Sequence, residues 1–240
     1  MTETLFARKV VEERGRGCTT NGILPSDRRP LRIRILLLVL LLGIASIAAY
    51  AFRRPILRAA GWMLIVNDPI EPSDVIVVTV EADGAGVLEA ADLVHSGVAA
   101  QVAVFGESPD TVEREFIRRG IPYDDTAARS VRQLRLLGLD TIGLVPTYVA
   151  GSEDEGPALA SWCDQHKFRS VVVVSTSDHS RRLRRVLHRS MKGHLTRVTV
   201  RYSRYSVFDP DRWWLSHVGI RTEVAELEKL LRDVVRHPIS

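Results

Sequence analysis

The chain has 240 residues, 45% hydrophobic and 26% charged, a balance that excludes a disordered or collagen-like polypeptide. Two cysteines, Cys18 and Cys163, exclude a disulfide scaffold, and no C-x-x-C pair offers a zinc site. The net charge of +4 is uneven: residues 1–54 carry ten Lys/Arg against four Asp/Glu and the remainder twenty-three against twenty-five, so the basicity is not that of a nucleic-acid-binding domain.

The first element in chain order is apolar. Ile35 to Phe52 runs eighteen residues without a charge, long enough with Ile33 to cross a hydrocarbon core of ~30 Å as a helix. Ala49-Tyr50-Ala51 has the form of a signal-peptide cleavage site. The length of the apolar run and the arginines at 53 and 54 favour an uncleaved anchor instead. Residues 1–34 hold eight Lys/Arg, more than the opposite flank with Arg53, Arg54 and Arg58, so the positive-inside rule puts the N-terminus in the cytoplasm and the main domain outside it. The expected organisation is a basic cytoplasmic tail over 1–32, a transmembrane helix over 33–54, a juxtamembrane connector over 55–70 and an extracytoplasmic domain over 71–240. Cys18 and Cys163 then lie on opposite sides of the membrane and cannot pair within one chain. The bilayer is the first expected partner, its anionic lipids attracting the basic flank.

From residue 74 the pattern alternates between strand and helix. Asp74–Val80, Gln101–Phe105, Thr141–Val145, Ser170–Ser175 and Thr196–Tyr202 read as strands. The first and fourth are continuous β-branched runs, the mark of strands buried on both faces. Helical spacing covers Gly86–His95, Thr111–Arg119, Asp125–Leu137, Pro157–His166, Asp178–Met191 and Arg212–Val235, with Gly151–Gly156 read as a loop. This order predicts a Rossmann-like α/β fold: a mostly parallel sheet with helices on both faces, preceded by one N-terminal transmembrane helix.

Ligands of open α/β sheets bind beyond the carboxyl ends of the strands, so the residues following each strand are the candidates. Ser175-Thr176-Ser177-Asp178-His179-Ser180-Arg181-Arg182 follows the fourth. Ser177 or Asp178 is placed to cap the helix, whose first N–H groups favour an anion. Leu183, Val186 and Leu187 must face the sheet. His179 shares their side and Arg182 borders it, whereas Arg181, Arg184, Arg185 and Arg189 project outward as a solvated basic face. The candidate ligand-binding set is therefore Ser175, Thr176, Ser177, His179 and Arg182, with Gly106 after the second strand and Glu153 and Glu155 after the third. His179 is the best candidate for acid/base work, set against the plainer reading of a first-turn histidine bonded to a carbonyl. Glu153, Asp154 and Glu155 read by default as an exposed acidic helix start; with Glu81 or Asp83 they are the place where a divalent metal would otherwise be sought. Gly84 and Gly86 do not complete G-x-G-x-x-G, because residue 89 is Glu, so dinucleotide binding of the usual kind is not expected.

Several segments together resemble the YdcF/SanA/ElyC-like family. They are Asp68-Pro69 with Ser73–Val78, Leu93–Gly97 leading to Val102–Gly106, Val171–Ser177 followed by His179 and Arg182, and Glu226-x-x-Lys229 near the end. The resemblance spans about 62–240 and implies a Rossmann-like fold and a role in bacterial envelope biogenesis at the inner membrane. The family's glycine-rich turn after the first strand is here Thr79–Gly84, an expected arginine is Gly86, and its Ser/Thr-rich Glu-Asn string is Gly151–Gly156. S-adenosylmethionine, associated with a soluble relative, is not carried over, since the glycine-rich turn is missing. The expectation is an envelope factor binding an anionic small molecule or lipid-linked phosphate. The alternatives are an enzyme on a phosphorylated or nucleotide-like substrate and a degenerate relative serving as an interaction module.

Overall fold

In the computed structural model, residues 29–123 and 125–238 are described. The expected cytoplasmic tail up to residue 28, with Cys18, lies outside them. The first helix, α1 (Arg29–Met63), contains the apolar run. Among the described residues it is the one helix long and apolar enough to cross a membrane. It starts four residues before the expected span and runs beyond Arg54 to Met63. Residues 29–51 fall in one compact unit and residues 52–238 in another.

Among the described residues of the second unit, five strands form one sheet: β1 (Val75–Val78), β2 (Val102–Glu107), β3 (Ile142–Val149), β4 (Ser170–Ser175) and β5 (Arg197–Tyr202). Their order is β3-β2-β1-β4-β5 and every neighbouring pair is parallel. The β-branched runs explain the centre. Val75 and Val77 of β1 with Val171 and Val173 of β4 point to one face, where they meet Leu159 and Cys163 of α5 (Ser152–His166) and Leu183 and Leu187 of α6 (Ser180–Ser190). Ile76, Val78, Val172 and Val174 point to the other, against Val87 and Ala90 of α2 (Asp83–His95) and Leu134 of α4 (Thr126–Leu136). A fully buried valine contributes about 1.5–3 kcal/mol, so these alternating runs fix register as well as burial. Pro146 lies in β3, at the edge of the sheet where a missing N–H is tolerated. The remaining helices are the peripheral α3 (Thr111–Arg118) and the long α7 (His217–Arg236).

The fold is thus the expected α/β one, with three local departures. The acidic segment after β3 is not a loop: α5 begins at Ser152, and Asp154 closes its start by accepting a hydrogen bond from the Ala150 N–H at 3.0 Å. The expected connector is helical as far as Met63, and the rest of it is bonded to the domain. The Leu64 carbonyl accepts from the Arg181 N–H at 3.0 Å, the Val66 N–H donates to Ser180 Oγ at 2.9 Å, and Asp68 exchanges two hydrogen bonds with Val200 of β5. The basic face of α6 is half-exposed but paired rather than free in solvent. Arg181 donates to the Met63 and Ile65 carbonyls, Arg184 faces Asp68, Arg185 binds Asp233, and Arg189 binds Asp233 and Glu153. These arginines clamp the connector and α7 onto α6, because both segments return across the face of that helix that was expected to face water.

Candidate functional site

The strand order reverses between β1 and β4, and their carboxyl ends, Val78 and Ser175, open one crevice there. Five segments bring side chains to it. The short 3₁₀ turn Val80–Ala82 after β1 supplies Glu81 and the head of α5 supplies Ser152 and Glu155. His179 comes from the residue before α6, Arg182 from its first turn, and Glu226 from the middle of α7.

His179 is fully buried. Its Nδ1 lies 3.0 Å from Glu81 Oε2 and 3.4 Å from Glu226 Oε2. Burial by itself would lower the imidazole's pKa, but the hydrogen bonds to Glu226 and Glu81 outweigh it and raise it to about 9. The ring is therefore cationic at neutral pH. Arg182 Nη2 lies 2.9 Å from the same nitrogen. With the ring charged both atoms are donors, so this contact is repulsive and the two carboxylates hold the pair together. Arg182 also donates from Nη1 to Ser152 Oγ at 2.6 Å and from Nε to Glu226 Oε2 at 3.3 Å, with Glu81 Oε1 3.7 Å from Nη2. Lys229 Nζ donates to Glu226 Oε1 at 2.6 Å. Burial would raise Glu226, yet its hydrogen bonds with His179 and Lys229 bring it down to about 2. Glu81 follows the same logic: burial opposes, His179 wins, and its carboxyl is lowered.

Glu155 differs. Its Oε1 accepts from the Val80 N–H at 3.0 Å, and its Oε2 is buried without a partner among the described residues. Burial pushes its carboxyl up to about 7. On α7, Glu223 is fully buried with neither oxygen partnered among the described residues, and burial together with nearby Asp178 raises it to about 7. The cluster thus combines the cationic His179, Arg182 and Lys229 with the anions Glu81 and Glu226 and with Glu155, whose carboxyl burial pushes up.

Glu81 faces outward from this cluster. Its side chain is 37% exposed, against 7% for Glu226, and it lines a cleft of about 490 Å³. Thr176 and Asp178 also line that cleft, together with the apolar side chains of Leu88, Phe208 and Trp213.

The expected residues separate accordingly. His179, Arg182 and Glu155 meet, and Thr176 lines the cleft. Ser175 is fully buried at the end of β4. Ser177 is buried, donating its hydroxyl to the Phe208 carbonyl and its N–H to Ser206 Oγ. It does not cap α6 through its side chain, and two of the first N–H groups are already taken, that of Arg181 by the Leu64 carbonyl and that of Ser180 by the Ser177 carbonyl. Gly106 is packed against Tyr148 within the sheet, where a Cβ would lie 3.0 Å from the ring. Glu153 turns outward to Arg189, so Glu153 and Glu155 do not converge. Among the described residues no group of three or more His, Cys, Asp or Glu side chains is placed to hold a metal ion. Ser152 joins the site from the segment after β3, where sequence reasoning singles out only its acidic neighbours, and Glu226 and Lys229 join it from α7, which strand-end reasoning does not reach. The signal for Glu226 is its helical spacing with Glu223, Leu230 and Asp233, which puts three carboxylates on one buried stripe.

No family model matches the chain. No curated protein matches it significantly.

Proposed function

We propose that the chain is a bacterial envelope protein, anchored in the inner membrane by α1 with its N-terminus cytoplasmic, whose cleft binds a small anionic or phosphate-bearing molecule. The anchor reading rests on the length and apolarity of α1 and on the arginine asymmetry around it. The envelope reading rests on the resemblance of residues 62–240 to the YdcF-like family.

The observation that carries the ligand reading is the pairing of Glu81 with His179 and Arg182. Two cationic groups stand at the sheet's switch point, and of the two carboxylates that neutralise them, Glu81 is the partly exposed one that opens on the cleft. An incoming phosphate or carboxylate takes the place of the Glu81 carboxylate against His179 and Arg182, where charge-assisted hydrogen bonds are strongest. The apolar side chains that line the cleft hold the remainder of the ligand. Replacing Glu81 with Ala removes the internal competitor. Affinity for inorganic phosphate should then rise about ten-fold or more, since a hydrogen bond to a charged group is worth about 1.5–3 kcal/mol. Thermal shift of the full chain in detergent, with phosphate, nucleotides and polyprenyl phosphates as probes, measures this. The reading fails if none of these probes shifts either the wild-type protein or Glu81→Ala.

A second reading, an enzyme using His179 as acid/base, is favoured by one atom. Nε2 of His179 is buried without a partner among the described residues, while Nδ1 is held by carboxylates. Turnover of a bound phosphate ester, lost in His179→Gln, distinguishes it from binding alone.

A further inference from the structure

We infer that the loop Asp209–Leu215 and the last turns of α1 form a second membrane contact: a site for the headgroups of anionic phospholipids in the bilayer that α1 crosses. This rests on the anchor reading above and adds to it a place where the α/β domain itself touches lipid.

The loop is locked to the helix. Trp213 Nε1 donates to the Leu57 carbonyl at 2.8 Å, and Arg58 Nε and Trp62 Nε1 both donate to Asp211 Oδ1, at 2.9 and 3.0 Å. Gly61 allows the approach, since a Cβ there would lie 2.5 Å from the Pro210 carbonyl oxygen. The apolar run ends at Phe52 and Leu57 follows five residues later, a rise of about 7.5 Å along a helix. The polar layer on each side of a hydrocarbon core is about 5–8 Å thick. The turn from Arg53 to Leu57 therefore stands in the headgroup layer, and the loop bonded to Leu57 stands beside it.

At that level a cavity of about 880 Å³ is walled by Arg53, Arg54, Arg58 and Arg212 together with Trp214 and Leu215. Four guanidinium groups meet two carboxylates there, Asp209 and Asp211, and Asp211 is already bonded to Arg58. The excess is cationic. Guanidinium groups recognise phosphate through paired N–H donors, and a surface of anionic lipid attracts them. An indole beside them suits the interface, where its ring is apolar and its N–H is wet. Leu215, 72% exposed next to Trp214, is costly in water and favourable at the edge of the acyl chains.

The test uses the full chain in nanodiscs of phosphatidylcholine alone or of an equal mixture with phosphatidylglycerol, with lipids brominated near the glycerol end of their chains. Tryptophan emission should be quenched more strongly in the mixed discs. Trp214→Phe should lower that quenching measurably, leaving what Trp213, the other indole of the loop, contributes together with Trp62 and Trp162. Arg212→Glu, at an exposed position that needs no repacking, should reduce quenching in mixed discs to the level of phosphatidylcholine alone. Quenching unchanged in both variants, or indifferent to phosphatidylglycerol, overturns the inference while leaving the anchor intact, provided the chain still elutes with the discs. Elution apart from the discs overturns the anchor and this inference together.

Discussion

Oε2 of Glu81 lies 3.0 Å from Nδ1 of His179, so the turn after β1 and the head of α6 are joined across the point where the sheet reverses its order. The contact explains why a fully buried imidazole stays charged. Its pKa of about 9 is raised above the usual 6.5 by Glu226 and Glu81 against the opposing effect of burial. Because the folded value exceeds the unfolded one, the stability this pair contributes is fully present below pH 6.5 and is lost as pH rises toward 9. Glu81→Gln should bring the His179 titration down by roughly one unit or more, the usual effect of removing an adjacent opposite charge. Ring-proton NMR of the histidines measures the shift. An unmoved titration would assign the whole effect to Glu226.

Glu155 sets the opposite kind of problem. Burial raises its carboxyl from 4.5 to about 7, so the folded state holds its proton more tightly than the unfolded chain does. Its contribution is complete below pH 4.5 and is lost as pH rises through 7, after which an ionised carboxylate sits buried with Oε2 unpartnered among the described residues. Glu155→Gln keeps an oxygen for the Val80 N–H and removes the charge. It should raise the melting temperature at pH 8 by several degrees, since about 1 kcal/mol corresponds to about 2–4 °C in a domain of this size. Near pH 5 it should change little. Melting curves at the two pH values check the sign, and a loss of stability at pH 8 would show that the charge itself is required.

The central strands are legible because their signal is local: Val171–Val174 is a four-residue β-branched run, and burial on both faces follows from it. His179 and Arg182 are legible too, since they follow that strand at helical spacing. Their partners are not. Glu226 lies 47 residues from His179 and Ser152 lies 30 from Arg182, distances at which no periodicity connects them. Gly151–Gly156 reads as a loop with the helix beginning at Pro157, yet carboxylates at a helix start and the Asp154 hydrogen bond let α5 begin at Ser152. Helix α7 misleads further, because it buries Glu223, Glu226 and Asp233 while exposing Val224 and Leu231. Hydrophobic patterning alone assigns the wrong face.

Arg185 illustrates the consequence for mutagenesis. Sequence spacing projects it into solvent, where replacement is neutral, but its guanidinium binds Asp233 and the His237 carbonyl. Asp233 is 5% exposed, so the pair ties the C-terminal turns of α7 to α6. Arg185→Ala should cost about 1.5–3 kcal/mol, the range for a hydrogen bond to a charged group, and should leave ligand affinity unchanged. Arg182→Ala should lower phosphate affinity several-fold and also destabilise the fold, because Glu81 and Glu226 lose one of the two partners they share. Chemical denaturation combined with ligand titration separates the two arginines. Equal losses of affinity in both variants would remove the distinction between clamp and site.

The C-terminal end of α1 belongs energetically to the α/β domain. Leu57, Arg58, Gly61 and Trp62 bond or pack against Pro210, Asp211 and Trp213, and Leu64 enters a small apolar cluster with Phe208 and Leu230. A chain beginning at Trp62 keeps Leu64 but loses the acceptor of the Trp213 indole and the Arg58 ion pair. A chain beginning at Phe52 keeps them all. The shorter chain should therefore melt several degrees below the longer one, although both contain every strand. Gly61→Val tests the same packing without a truncation. Its Cβ would fall 2.5 Å from the Pro210 carbonyl oxygen and 2.8 Å from the Trp213 ring, so the loop must move away, at about 1–3 kcal/mol for an overpacked contact. Calorimetry of the Phe52 chain with and without Gly61→Val gives the number. A melting temperature indifferent to both changes would show that the helix end only rests on the domain, whereas matched losses in the two experiments would assign the stabilisation to this one interface.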